Sequence, residues 1–313
     1  MANNNQVYEI INGIIVKCLN DGICPWRKPW QVNGKSLYIS RSGNPYSFLN
    51  TMLLIAQGAK AGEFITLKQA NAEGGKVKKG AKSYIITFYK QLICKVEDKN
   101  NNNAEITEDE ENEPKIKKIP MLKYYRVFNI ADCENIQPKH NTDITPAEVQ
   151  PIDAAEQMLK EYLSSENAPK FFAEVSNDAF YRPSTDEIHV PAPEQFNNPA
   201  EYYSTAAHEC IHSTGHKSRL DRLTNEVFGS VNYSREELVA EIGAATLLAQ
   251  CGIEDADTMK NSVAYLQGWA KHLTDKPKEF AVAAARAEHA VNWILGERVK
   301  VKDNKPKVTT EAA

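Results

Sequence analysis

His208, Glu209 and His212 stand within TAAHECIHSTGHKSRLDR, residues 205–222, in the spacing His-Glu-x-x-His. At 3.6 residues per turn, side chains four apart leave one face of a helix about a turn apart, so the two imidazoles converge. Converging imidazoles suit two positions of a tetrahedral zinc ion. Glu209 beside them is placed to hold and deprotonate a water there as general base. The chemistry indicated is metal-assisted peptide hydrolysis. The plainer alternative is a pair of ordinary histidines on an amphipathic helix.

Two neighbours imitate ligands. Cys210, two residues past His208, is rotated about 200° around the helix, so its sulfur points away from the metal face and reads as a small buried group. Gly215 invites the longer pattern His-Glu-x-x-His-x-x-Gly-x-x-His, in which the glycine turns a third histidine onto the metal. Ser218 occupies that third position, and His216 falls two residues early. His216 is a candidate to line the cleft and hydrogen-bond a developing oxyanion; a cap on the last helical turn is the alternative.

The remaining ligand must come from elsewhere, and a carboxylate on a following helix is a common solution. In YSREELVAEIGAATLLAQCG, residues 233–252, Leu238, Ile242, Ala245 and Leu248 form an apolar stripe. Ser234 is an N-cap candidate, with Glu237 as its capping-box partner. Glu237 and Glu241 share a face. Two carboxylates beside an apolar stripe, with no basic residue at the matching spacing, are costly unless they meet a cation. Glu237 is assigned to the metal and Glu241 to orienting a ligand histidine. The reverse assignment stays open, because Glu237 also fits the capping box.

The helix that must carry His208 and His212 is well signalled. Asn198 and Pro199 read as N-cap and first helical residue, Tyr202, Ala206, Ala207 and Ile211 supply apolar contacts, and Gly215 ends the helix. The N-terminus is helical too: Ile10, Ile11, Ile14, Ile15 and Leu19 follow helical spacing, with no basic region before them and no small-residue cleavage site, so a structural helix is expected there and not an export signal. No apolar run in the 313 residues is long enough for a membrane helix. The six cysteines form no Cys-x-x-Cys pair. A reducing, cytoplasmic setting without a membrane partner is expected.

Charge divides the chain. Residues 1–90 carry twelve Lys or Arg against four acids, while the whole chain has net charge −4. A basic front end of this kind is the footprint of a polyanion partner. Residues 96–115, VEDKNNNNAEITEDEENEPK, read as a disordered acidic insertion. SYIITFYKQLICKV before it and IPMLKYYRVFNIADC after it read as neighbouring strands. A polar, Pro-containing linker is placed at residues 136–151, ahead of a helix starting near Ile152. It predicts a front half that stands on its own.

In the basic half, ICPWRKPWQ, residues 23–31, interleaves Trp26 and Trp30 with Arg27 and Lys28, and its prolines prevent an ordinary helix. Rings for bases and cations for phosphates suit single-stranded nucleic acid; the alternative is that the tryptophans fill the core. GNPYSFLNTMLLIAQG offers a turn with Tyr46 and then a buried helix. FITLKQANAEGGKVKKGAKS starts a helix near Thr66, stops it at Gly74 and Gly75, and enters a Lys-rich turn. Gly75 and Gly80 have P-loop separation, but Ala81 stands where Lys belongs. Lys76, Lys78, Lys79 and Lys82 are better read as a phosphate-contacting loop.

PWRKPW, the segment containing Asn50, ITLKQANAEGGKVKKGAKS and RVFNIADCE together resemble the N-terminal domain of ArdC-type antirestriction proteins, carried by plasmids and other mobile elements. HECIHSTGHKSRLDR with EELVAEIGAATLL resembles the zincin-like metallopeptidase domain that follows it in that family. The resemblance spans nearly the whole chain. It implies an α+β protein with a mixed α/β, non-specific single-stranded-DNA-binding domain over residues 1–140, a zincin-like metallopeptidase domain over 150–300, and a tail over 301–313. It also implies one zinc per chain, Tyr46 and Asn50 among the DNA-contacting residues, and an edge strand within residues 179–196 that holds an extended host-protein substrate. The acidic insertion departs from the minimal family pattern. Two other functions stay open: a DNA-protecting scaffold whose metal site is not used for proteolysis, and a metallopeptidase whose basic half binds protein.

Overall fold

Ile11 and Ile15, four residues apart in the first helix, are both fully buried, as the helical spacing requires. The structure, a computed structural model, describes residues 4–27, 31–32, 35–95, 116–140, 151–223, 231–253 and 263–296. The expected insertion at 96–115, most of the linker, the tail, Lys28 and Trp30 lie outside the described residues.

In the N-terminal half the elements are α1 (Asn4–Asn20), β1 (Gln31–Val32), β2 (Lys35–Ser36), β3 (Tyr38–Ser40), α2 (Phe48–Ala56), β4 (Gly62–Thr66), α3 (Leu67–Ala72), β5 (Lys76–Val77), β6 (Tyr84–Lys95), β7 (Ile116–Asn129) and β8 (Cys133–Glu134). The C-terminal half has α4 (Pro151–Leu163), β9 (Lys170–Glu174), β10 (Phe180–Arg182), β11 (Glu187–Pro191), α5 (Pro199–Ser213), α6 (Val231–Gln250), α7 (Val263–Thr274) and α8 (Glu279–Ile294). The α+β class holds. Among the described residues no helix is long and apolar enough to cross a membrane.

The two strands expected on either side of the insertion pair antiparallel, from Tyr84 opposite Val127 to Lys95 opposite Ile116. They belong to a four-stranded sheet ordered β3-β4-β7-β6. That order leaves β6 at an edge, and α2 closes it with side-chain amides. Asn50 Nδ2 donates to the Thr87 carbonyl at 2.8 Å and its Oδ1 accepts the Thr87 N–H at 2.7 Å; Gln57 does the same for Ile85. An edge strand capped in this way has fewer free backbone groups to offer another chain. The Thr66 start is also borne out: its hydroxyl accepts from the Gln69 N–H, and Gln69 returns the bond to the Thr66 N–H.

In the C-terminal half the sheet is ordered β10-β11-β9. Within residues 179–196, where an edge strand is expected, β10 lies at the edge, whereas β11, which carries Ile188 and Val190, is the central strand, parallel to β9 and antiparallel to β10. Pro191 is tolerated because it ends the strand.

The halves share one core. Trp26 is 1% exposed and packs against Phe280 of α8, with ring centroids 5.7 Å apart, and edge-on against Trp269 of α7 at 6.4 Å. Asn12 of α1 donates to the Leu273 carbonyl at 2.8 Å. Residues from α1, α2, α6, α7 and α8 form one buried cluster. The expectation of a front half that folds alone conflicts with this packing, since it would expose the faces of α1 and Trp26.

Candidate metal centre

The helix α5 starts as its sequence demands. Asn198 is extended, its side chain accepts the Glu201 N–H at 3.0 Å, and Pro199 occupies the first turn. Ala206, Ala207, Cys210 and Ile211 bury one face, so Cys210 is the small core residue expected. His208 and His212 leave another face. Gly243 brings α6 close: a Cβ there would lie 2.6 Å from Ile211 Cδ1. Ser234 falls inside α6, not at its N-cap, because the helix already includes Val231.

This approach presents Glu237 to both histidines. His208 Nε2 and His212 Nε2 are 3.1 Å apart, Glu237 Oε1 is 3.3 Å from His212 Nε2, and Glu237 Oε2 is 3.6 Å from His208 Nε2. Ligands bound tetrahedrally at 2.0–2.1 Å are separated by about 3.3–3.4 Å. The observed separations bracket that edge, with Glu237 turning one oxygen to each imidazole, and two imidazoles with one carboxylate are a donor set that zinc accepts. These three residues form the one group of potential metal ligands among the described residues.

Charges around the triangle support a cation. Burial weakens His212 as a base, but Glu236 and Glu237 outweigh it and hold its pKa up at about 10. Burial likewise raises the Glu237 carboxyl, yet His208 and His212 hold it well below the usual range. Glu209 behaves differently. It is buried, and burial pushes its pKa upward despite both histidines. The backbone N–H of Tyr181 in β10 donates to its carboxylate, fixing the carboxylate relative to the sheet.

Sequence reasoning missed Glu236. Its Oε1 lies 3.5 Å from His212 Nδ1, and Arg222 grips it twice, at 2.8 and 3.1 Å. Arg222 also donates to the Ile211 carbonyl and the Thr214 hydroxyl, both at 2.7 Å. It reaches them because the chain turns back at Gly215, whose carbonyl accepts the N–H groups of Arg222 and Leu223. Glu236, five residues before Glu241, is thus also placed to orient His212; Glu241 accepts from the Tyr265 hydroxyl at 2.8 Å. His216 lies beyond the end of α5, with Nδ1 2.8 Å from Ser218 Oγ and 4.0 Å from Asp186.

The residues expected to contact DNA scatter. Trp26 is core and offers no face for a base, which corrects its assignment. Tyr46 packs edge-on against Phe64 at 6.1 Å, and burial raises its hydroxyl pKa. Asn50 is spent on the β6 edge. Lys76, Lys78, Lys79 and Lys82 are exposed, although Lys78 also donates to the Ala131 carbonyl and Lys82 to that of Gln57. Arg27 ends a short 3-10 turn.

Residues 5–128 match the family model for the N-terminal domain of the anti-restriction factor ArdC, and residues 160–286 match that of a zincin-like metallopeptidase. The metal-free crystal structure of the antirestriction protein ArdC from plasmid R388 superposes with a TM-score of 0.66 at 30% identity, covering 93% of this chain and 97% of that one. The chain belongs to the ArdC antirestriction family. The Mn(II)-bound structure of the R388 protein aligns equally well, at 29% identity, a TM-score of 0.66, and 94% and 98% coverage. A DNA primase TraC of Escherichia coli is 33% identical over 94% of this ArdC-type chain, which spans 20% of the primase. The uncharacterized protein y4eC of Sinorhizobium fredii is 26% identical over 96% of this chain and 94% of its own length.

Proposed function

We propose that this chain is a mobile-element antirestriction protein that binds single-stranded DNA through its N-terminal half, residues 1–140, and carries a zinc-dependent peptidase centre in its C-terminal half, residues 150–300. His208, His212 and Glu237 hold the metal, and the host-protein substrate lies across it. The observation that carries this reading is the convergence of their nitrogen and carboxylate oxygen atoms to separations of 3.1–3.6 Å, with Glu209 buried beside them. A zinc ion there supplies Lewis acidity toward water and a peptide carbonyl. Glu209, its pKa raised by burial, takes a proton from the attacking water and passes it to the departing amide nitrogen. The Tyr181 N–H keeps that carboxylate aimed. His216 has Nδ1 engaged by Ser218, and its Nε2 serves the developing oxyanion.

The experiment is Glu209→Gln in the full chain, assayed on a peptide library with and without a single-stranded oligonucleotide. Peptide cleavage should fall by at least about 100-fold while zinc content and DNA affinity hold. Cleavage at wild-type rate in the variant would remove Glu209 from the reaction. A wild-type protein that cleaves nothing while binding DNA would favour a protective scaffold.

A further inference from the structure

The ribbon of β6 and β7 outruns the sheet it belongs to. β4 pairs with β7 only from Val127 to Asn129, so from Arg126 out to Ile116 the sheet is two strands wide. A two-stranded ribbon cannot bury both of its faces. Four of its described side chains are nevertheless exposed aromatics: Phe88, Tyr89, Tyr124 and Tyr125 are 54%, 55%, 38% and 44% exposed. They are the exposed aromatic residues of the N-terminal half among the described residues. Register distributes them as one diagonal pair per face. Phe88 lies opposite Lys123 and Tyr125 opposite Ile86 on one face; Tyr89 lies opposite Leu122 and Tyr124 opposite Thr87 on the other. The Phe88 and Tyr125 rings meet edge to face with centroids 6.3 Å apart.

The core uses none of these rings, and an exposed aromatic pair such as Phe88 with Tyr125 marks an interaction site. The charge of the ribbon selects the partner. β6 and β7 contain Lys90, Lys95, Lys117, Lys118, Lys123 and Arg126 and no Asp or Glu, in a chain whose net charge is −4. A second copy of the ribbon would bring like charges together, which disfavours self-association. A duplex keeps its base faces inside and offers the rings nothing to stack on. An unpaired strand offers both bases for the rings and phosphates for the cations.

We propose that one face of the β6–β7 ribbon is the surface on which single-stranded DNA lies, with Phe88 and Tyr125 stacking on bases and Lys123, opposite Phe88 on that face, pairing with phosphate. This inference rests on the reading of the N-terminal half as DNA-binding and relocates the contacts from Trp26 to the ribbon.

The test is fluorescence anisotropy of a labelled oligo(dT) with the full-length protein at low salt. Phe88→Ala and Tyr125→Ala should each weaken binding by about tenfold, while Phe88→Tyr, which keeps a ring and the fold, should stay within about twofold of wild type. Lys123→Glu should lower the slope of log Kd against log salt by about 1. If wild-type protein binds no oligo(dT), the DNA-binding reading fails and this inference with it. If wild type binds and both alanine variants bind equally well, the ribbon is the wrong surface while the reading stands. Alanine variants that turn a sedimenting dimer into a monomer with unchanged DNA affinity would make the ribbon an interface between copies, and would also overturn the proposal.

Discussion

Glu236 and Glu237 are consecutive in α6, yet they reach opposite nitrogens of one imidazole: Glu236 Oε1 lies 3.5 Å from His212 Nδ1, and Glu237 Oε1 lies 3.3 Å from Nε2. Glu236 is thus placed to hold the ring through Nδ1, and Arg222 holds Glu236. An orienting carboxylate of this kind changes metal affinity by about 10- to 100-fold when removed. Glu236→Gln should weaken zinc binding by that factor in a chelator competition, with Glu241→Gln much closer to wild type. Equal losses in the two variants would contradict the assignment.

Trp26 should matter for stability. Removing a buried indole packed on Phe280 and Trp269 costs about 3–5 kcal/mol, so Trp26→Ala should lower the denaturant midpoint sharply. A fragment ending near residue 145 should fail to give a cooperative melt by circular dichroism. A fragment that melts cooperatively would show that the shared core is dispensable.

Glu288 of α8 accepts the Phe48 N–H at the start of α2, and burial pushes its pKa up to about 7 from 4.5. The folded state thus binds its proton more tightly than the unfolded state does. Its stabilisation is full below about pH 4.5 and declines as pH rises toward 7, by at most about 3 kcal/mol. Glu288→Gln should flatten the fall in Tm between pH 5 and pH 8 relative to wild type. Parallel Tm curves would contradict this.

The candidate metal site was legible because its spacing is local. His208 and His212 converge through the geometry of a single helix, and the rotation of Cys210 away from them follows from the same arithmetic. Glu237 was reached through the charge imbalance of one amphipathic helix. Glu236 was not, because its partners Arg222 and His212 come together only through the turn at Gly215 and the close approach at Gly243. The paired strands around the insertion were legible from composition. The place of β11 in its sheet was not, since strand order depends on contacts between distant segments. Trp26 shows the same limit: an indole beside cations looks the same in sequence whether it meets a base or Phe280. Phe88 and Tyr125 were visible as strand residues, but their exposure follows from how far β4 extends along β7.

The central claim is a metal held by His208, His212 and Glu237, and elemental analysis of purified protein after dialysis against a weak chelator tests it most directly. Wild type should retain about one zinc per chain, the stoichiometry of a single three-ligand site. His208→Ala, His212→Ala and Glu237→Ala should each lose stoichiometric zinc while keeping a cooperative thermal melt. A folded His208→Ala/His212→Ala double variant that still held a full equivalent of zinc would contradict the account.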